Sequence, residues 1–193
     1  MAGPEVGDRA PDALLLDLER REVRLSSLWR DRSAVVVFLR YFGCPFCQTQ
    51  VVALRDGHER IRETGADVGL VGHGDPDEAV AFADAKRLPF PLLLDRDRGA
   101  YRSYGLVQGR AMQILMPQVA LPWIRAELSS ETRQRGLKGG SFLQMPGTFV
   151  IDSGGVVRAA GGTILLAHRN RHFADAPSIG RLLETLRGLD AQA

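Results

Sequence analysis

The chain has 193 residues, 45% of them hydrophobic, which is enough to bury one substantial core at the upper end of common single-domain sizes. Its formal charge of +2 comes from 25 basic and 23 acidic residues scattered along the chain, a balance that carries no nucleic-acid or membrane footprint. The N-terminus Met1-Ala2-Gly3-Pro4-Glu5-Val6-Gly7-Asp8 lacks the basic region and apolar run of a secretory signal, and no stretch nears the ~20 apolar residues of a bilayer span, so a cytoplasmic location is expected.

Residues 1–32 read as a loop, two short strands (Ala13 to Asp17 and Glu22 to Leu25) and a short helix capped by Ser26 or Ser27. Val35 to Leu39 is a continuous β-branched and apolar run, the pattern of a central strand buried on both faces. After Gly43-Cys44-Pro45-Phe46-Cys47, helical spacing of Val51, Val52, Leu54 and Ile61 predicts one helix from Cys47 to about Thr64, stopped by Gly65. The cysteines therefore lie where a buried strand turns into a helix. Asp67 to Val71 is a strand, Asp75 to Lys86 a helix with Pro76 in its first turn, Pro91 to Leu94 a strand, and Asp97 to Tyr104 a short helix ending at Gly105. Strands alternating with helices predict an α/β fold with parallel strands covered on both faces.

Between Val107 and Met145 the alternation breaks into an apolar segment interrupted by Pro117 and Pro122, read as an insertion of short kinked helices. Strands resume at Thr148 to Ile151, Val156 to Ala160 and Thr163 to Ala167, as hairpins that extend one sheet edge. A final amphipathic helix begins near Pro177-Ser178. No linker or repeat interrupts residues 1–193, so a single domain is expected.

Cys44 and Cys47 are the only cysteines, and a disulfide between them closes too small a loop to constrain the unfolded chain. Such a pair in a reducing compartment is catalytic or metal-binding more often than structural. A helix N-terminus offers unpaired amides and the positive end of the helix dipole. Thiols that ionise near ~8.5 in the free state fall to roughly 3.5–7.5 in helix-terminal Cys-x-x-Cys pairs. The position predicts Cys44 as an exposed, ionised nucleophile and Cys47, nearly one turn along, as the buried resolving thiol. Pro45 suits the first helical turn.

Val6-Gly7-Asp8-Arg9-Ala10-Pro11 and the strand leading to a cysteine at a helix start resemble AhpC/TSA-type peroxiredoxins over nearly the whole chain. Phe38-Leu39-Arg40-Tyr41-Phe42-Gly43-Cys44-Pro45-Phe46-Cys47, with Leu88 to Asp95, Tyr101 to Leu106 and Gly147 to Asp152, is similar to the peroxiredoxin-like branch that includes prostamide synthase relatives. The resemblance implies a thioredoxin-like fold, a central mixed sheet flanked by helices, and a redox-active pair supported by Arg40, Gly43, Pro45 and Phe46. Pro146, ahead of Gly147 and a buried strand, resembles the cis-proline loop that faces the cysteines in thioredoxin folds. One departure is clear. Typical peroxiredoxins carry Pro-x-x-x-Thr-x-x-Cys, whereas Val37 and Tyr41 stand at the proline and threonine positions here.

Arg40, four residues before Cys44, is placed either to lower the thiol pKa or as an exposed strand-end residue. His58 is expected on the exposed face of its helix. Zinc is a rival use of the cysteines with His168 and His172, but about 120 residues separate the pairs and a finger needs ~12–15. No metal is therefore expected, and His168 and His172 read as a polar loop. Met112, Met116 and Trp123 are candidates for an apolar substrate pocket, or for core or a homodimer contact. The expected activity is thiol–disulfide exchange on a small-molecule or protein disulfide, with no bound cofactor and thioredoxin or glutathione as reductant. An organic-peroxide peroxidase and a redox-switched binding module are the alternatives.

Overall fold

The computed structural model of the chain describes residues 3–108, 143–154 and 162–190. The expected strand at 156–160 and almost all of the expected insertion, with Met112, Met116 and Trp123, lie outside those residues.

The described strands are β1 (Leu14–Leu16), β2 (Glu22–Arg24), β3 (Ala34–Phe38), β4 (Asp67–Gly72), β5 (Leu92–Leu94), β6 (Gly147–Ile151) and β7 (Ile164–Arg169). They form one mixed sheet in the order β2-β1-β5-β4-β3-β6-β7. β3, β4 and β5 run parallel, whereas β1–β2, β1–β5, β3–β6 and β6–β7 are antiparallel. The described α-helices are α1 (Pro45–Asp56), α2 (His58–Arg62), α3 (Pro76–Lys86), α4 (Gly99–Ser103) and α5 (Ile179–Asp190).

β3 shows why the sheet has two covers. A run without polar alternation must be buried on both faces, and every residue of β3 is. Val35, Val37 and Leu39 enter a core with Val51 and Leu54 of α1 and Leu182, Leu183 and Leu186 of α5. Ala34, Val36 and Phe38 enter a second core with Trp29, Tyr101, Tyr104 and Phe149. This arrangement holds the C-terminal end of β3, where the cysteine segment begins, between two packed layers.

Two expected elements differ. The single helix expected after the cysteines is α1 and α2, because the chain leaves helical geometry at Gly57 (φ −93°, ψ 1°), whose amide caps back onto the Ala53 carbonyl. His58 thus opens a new helix and turns inward rather than onto an exposed face. Its Nε2 lies 2.8 Å from Asp67 Oδ1, and its ring meets the Phe90 ring edge-on at 5.2 Å between centroids. The short helix at Leu25–Trp29 is a 3₁₀ turn whose N-cap is Arg24, not a serine. Its cap is supplied from a distance: the Asp12 carboxylate accepts the Ser26 amide at 2.9 Å. By contrast α3 starts as expected, with the Asp75 carboxylate accepting the Asp77 amide and Pro76 in the first turn.

Candidate redox site

β3 delivers the chain to Leu39 and Arg40, and the Leu39 amide is still held by the Val71 carbonyl at 2.8 Å. Phe42 then drops into the core against Phe82, with ring centroids 5.1 Å apart. Its ring also packs over Gly72, where a Cβ would stand 2.8 Å away, so only glycine leaves room for it. A tight turn follows, in which the Cys44 amide donates to the Tyr41 carbonyl at 3.2 Å. Gly43 occupies this turn with a φ outside the left-handed region.

Cys44 is the N-cap of α1 (φ −71°, ψ 118°), Pro45 holds the first helical position, and the Gln48 amide closes the first turn on the Cys44 carbonyl at 3.0 Å. Pro45 and Phe46 are half-buried on that turn. The Gln48 side chain ties the turn from inside by donating to the Phe42 carbonyl at 2.8 Å.

Both cysteines are free thiols. Cys44 is 0% exposed, against the expectation of an exposed nucleophile. The reason lies in the turn: Phe42, Cys44 and Cys47 all belong to the same buried core as Val51 and Phe82, so the turn is packed into the interior. Cys47 is buried, as expected.

Arg40 addresses both sulfurs. Its main-chain amide donates to Cys47 Sγ at 3.4 Å, and its Nη1 lies 3.9 Å from Cys44 Sγ. The guanidinium is buried rather than solvent-exposed, 3.6 Å above the centroid of the Phe173 ring. These groups set the titration. The Cys44 thiol is lowered from 9.0 to about 6, first by the hydrogen bond from the Cys47 thiol and then by the Cys47 amide and the charge and hydrogen bond of Arg40, with burial opposing. Cys47 is pushed well above its ordinary value, first by the hydrogen bond it gives to Cys44, then by burial and the Cys44 charge, with the amides of Arg40 and Tyr41 opposing. One sulfur is therefore the anion and its neighbour the proton donor to it.

A second layer fixes this geometry from below. The buried Tyr101 hydroxyl is shared between the carbonyls of Leu39 (2.5 Å) and Val71 (3.0 Å), clamping β3 to β4 where the site begins. Tyr101 is itself placed by the Asp95 carboxylate, which accepts the amides of Gly99 and Tyr101 at 3.0 Å each. The His73 ring stands edge-on to Tyr101 at 5.1 Å. Burial lowers its pKa to about 4, opposed by a hydrogen bond with the Arg40 main chain and assisted by the Arg98 charge, so His73 adds no positive charge near neutral pH. Tyr101→Phe leaves two buried carbonyls without their shared donor, and we expect a loss of about 1–3 kcal/mol in urea unfolding. A change below ~0.5 kcal/mol, the range of an ordinary surface substitution, would show that the clamp carries no stability.

Pro146 lies beyond Gly147, which pairs with Phe38, and so stands at the same end of the sheet as Arg40. The expected cis bond is absent, because no described peptide is cis. Here the chain continues the sheet instead of forming a protruding loop: the Pro146 carbonyl accepts the Asn170 amide at 3.2 Å, and the Met145 amide donates to Val107 at 3.2 Å. Gly147 is required by close packing, since a Cβ there would stand 2.6 Å from Leu106. His168 belongs to β7, with Nε2 2.5 Å from the Asp175 carbonyl.

The structure thus gathers Cys44, Cys47 and Arg40, and adds Phe173, Tyr101, His73 and Gln48, which the sequence reading passed over. Phe173 left one faint signal there, a lone aromatic in the polar run Arg169-Asn170-Arg171-His172-Phe173-Ala174-Asp175.

The AhpC/TSA family model matches residues 6–160. A thioredoxin-like chloroplast protein of Arabidopsis thaliana, AAED1, is 29% identical over 76% of this chain and 65% of its own length, so the chain spans just under two thirds of that relative. A prostamide/prostaglandin F synthase of Danio rerio is 26% identical over 85% of this chain and 79% of that protein. Among solved structures, peroxidoxin BcpB of Mycobacterium tuberculosis superposes with a TM-score of 0.64 at 22% identity, covering 96% of this chain and 97% of the other. This last likeness establishes the thioredoxin-like fold.

Proposed function

Since this chain belongs to the AhpC/TSA family, we propose that it is a thiol-dependent oxidoreductase that reduces a disulfide, or another thiol-reactive small molecule, by cycling Cys44 and Cys47 between dithiol and disulfide. The observation that carries this reading is the shared environment of the two sulfurs: Cys44 at the N-cap of α1, beside Arg40 and a protonated Cys47.

In the first step the Cys44 thiolate attacks one sulfur of the substrate disulfide, the S–S bond breaks, and the leaving thiolate takes a proton from solvent. Cys44 is then neutral in a mixed disulfide. With its charge gone, the hydrogen bond to Cys44 and the Cys44 charge no longer hold Cys47 protonated, and the amides of Arg40 and Tyr41, still aimed at Cys47 Sγ, work against its burial. Cys47 loses its proton, attacks Cys44 Sγ and expels the second substrate thiolate. An external thiol, thioredoxin or glutathione, supplies two electrons and two protons to restore the dithiol, and no bound cofactor enters the cycle. Gly43, Pro45 and Phe46 shape the attacking turn, and Pro146 with Gly147 leads into β6 at the same end of the sheet.

Steady-state reduction of a model disulfide in the presence of either reductant tests the reading, and absence of turnover would favour a redox-switched binding role. Family membership also supports a second reading, peroxide reduction, in which Cys44 thiolate is oxidised to a sulfenic acid as an organic peroxide becomes an alcohol, and Cys47 condenses with it to release water. Val37 is buried within β3 and Tyr41 stands at the threonine position, so neither supplies the Pro and Thr of the usual peroxide site. We expect stopped-flow oxidation of Cys44 by organic peroxide to be no faster than that of a free thiol of equal pKa; a much faster rate would favour the peroxidase.

A further inference from the structure

We propose that Phe173 is a positioning residue of the redox site: its ring face holds the Arg40 guanidinium against Cys44 Sγ and thereby sets how much of that thiol is thiolate. The inference rests on the cysteine cycle proposed above. It assigns a role to a residue far downstream in sequence, on the segment that follows β7.

Geometry makes the case. A long arginine side chain carries large rotamer freedom, and the Arg40 guanidinium approaches Cys44 only because something fixes its plane. The Phe173 ring lies 3.6 Å from Arg40 Cζ, well inside the ~6 Å range in which an aromatic quadrupole attracts a cation. The Tyr41 ring is more distant, at 5.3 Å. Burial excludes the water that would otherwise compete, since Arg40 is 3% and Phe173 4% exposed.

The segment carrying Phe173 is built to hold it there. The Asn170 amide is tied to Pro146, and the Asp175 carboxylate accepts both the Arg171 amide (3.0 Å) and Arg171 Nε (3.2 Å). The Asp175 amide donates to the His172 carbonyl at 3.1 Å, and His168 Nε2 meets the Asp175 carbonyl at 2.5 Å. Phe173 therefore sits at the inward side of a turn pinned at both ends. Among the described residues, the titratable and charged groups that act on Cys44 are Cys47 from α1, Arg40 from the end of β3 and Tyr41 from the turn, with His73 reaching the Arg40 main chain from the end of β4. Of these, the Arg40 side chain is the group that Phe173 touches.

The test reads the pH midpoint of Cys44 alkylation by iodoacetamide, followed on the Cys44 peptide by mass spectrometry, so it does not depend on turnover. Phe173→Leu and Phe173→Met keep apolar bulk and remove the ring face, and each is expected to raise the midpoint by about one pH unit, roughly tenfold less thiolate below it. Phe173→Tyr is expected to restore the wild-type midpoint. The Arg40→Met, Phe173→Leu double variant is expected to shift no further than Arg40→Met alone, because Phe173 acts through Arg40. An unchanged midpoint in folded Leu or Met variants, additive shifts in the double variant, or loss of the fold in both single variants would overturn the proposal. A wild type that alkylates as expected yet reduces no disulfide would sink the proposed cycle and leave the Phe173 result standing.

Discussion

Cys44→Ser is expected to lower turnover of a model disulfide by several orders of magnitude, to the level of the external thiol acting alone, whereas Cys47→Ser keeps the first half of the reaction. The asymmetry follows from the two environments. The Cys44 thiol, lowered to about 6, is largely ionised at neutral pH, while Cys47 is held protonated well above its ordinary value. A serine hydroxyl at position 44 has no accessible anion and cannot attack a disulfide. With serine at position 47, attack by Cys44 still proceeds, but no second sulfur expels the product. The protein should then accumulate as a mixed disulfide at Cys44, visible as added mass equal to half of the substrate. The serine hydroxyl still offers a hydrogen-bond donor to the Cys44 thiolate in place of the Cys47 thiol, so attack by Cys44 should persist near neutral pH. Trapping of the adduct at Cys47 in Cys44→Ser, rather than at Cys44 in Cys47→Ser, would reverse the assigned roles.

Arg40→Met should give a loss of reactivity that changes sign with pH. Its Nη1 lies 3.9 Å from Cys44 Sγ in a buried setting, and a hydrogen bond to a charged group is worth about 1.5–3 kcal/mol. At 1.36 kcal/mol per unit this raises the thiol midpoint by roughly one to two pH units. Below both midpoints the thiolate fraction falls about tenfold per unit, while the more basic thiolate regains about threefold per unit through a Brønsted coefficient of ~0.4–0.5. The net expectation near pH 5 is a loss of roughly three- to tenfold in the second-order rate. Above both midpoints the ionisation advantage is gone and the variant should match or exceed wild type. Stopped-flow rates across pH with a neutral disulfide would show the crossover. Parallel profiles at every pH would mean that Arg40 does not act through the thiolate. Methionine is the chosen replacement because it fills the space of the buried stem without leaving an unpaired charge.

Much of this arrangement could be read from local pattern. The uninterrupted apolar run of β3 requires two covers, Pro45 marks the start of α1, and the Cys-x-x-Cys spacing places both sulfurs on the first turn. What escaped is non-local. The sequence places Cys44 at a helix start but does not show that Phe42 drags the turn into the core, so the exposed nucleophile of the sequence is a buried sulfur in the structure. His58 was misplaced because a helix read through Gly57 puts it on the wrong face. A proline before a strand is trans far more often than cis, and Pro146, whose carbonyl accepts the Asn170 amide, follows the common case. Arg40 stood between two readings, and a partner 133 positions later, Phe173, is what the fold supplies to make it a site residue.

Cys44 and Cys47 acting as one redox unit leave a distinct covalent state after a single encounter with substrate. Reduced protein mixed with one equivalent of a model disulfide, quenched in acid and read by intact mass and peptide mapping, should release both substrate thiols, lose both thiol hydrogens and carry Cys44 joined to Cys47. A stable substrate adduct on wild-type Cys44, or two unreacted thiols, would show that the two cysteines do not act as a pair.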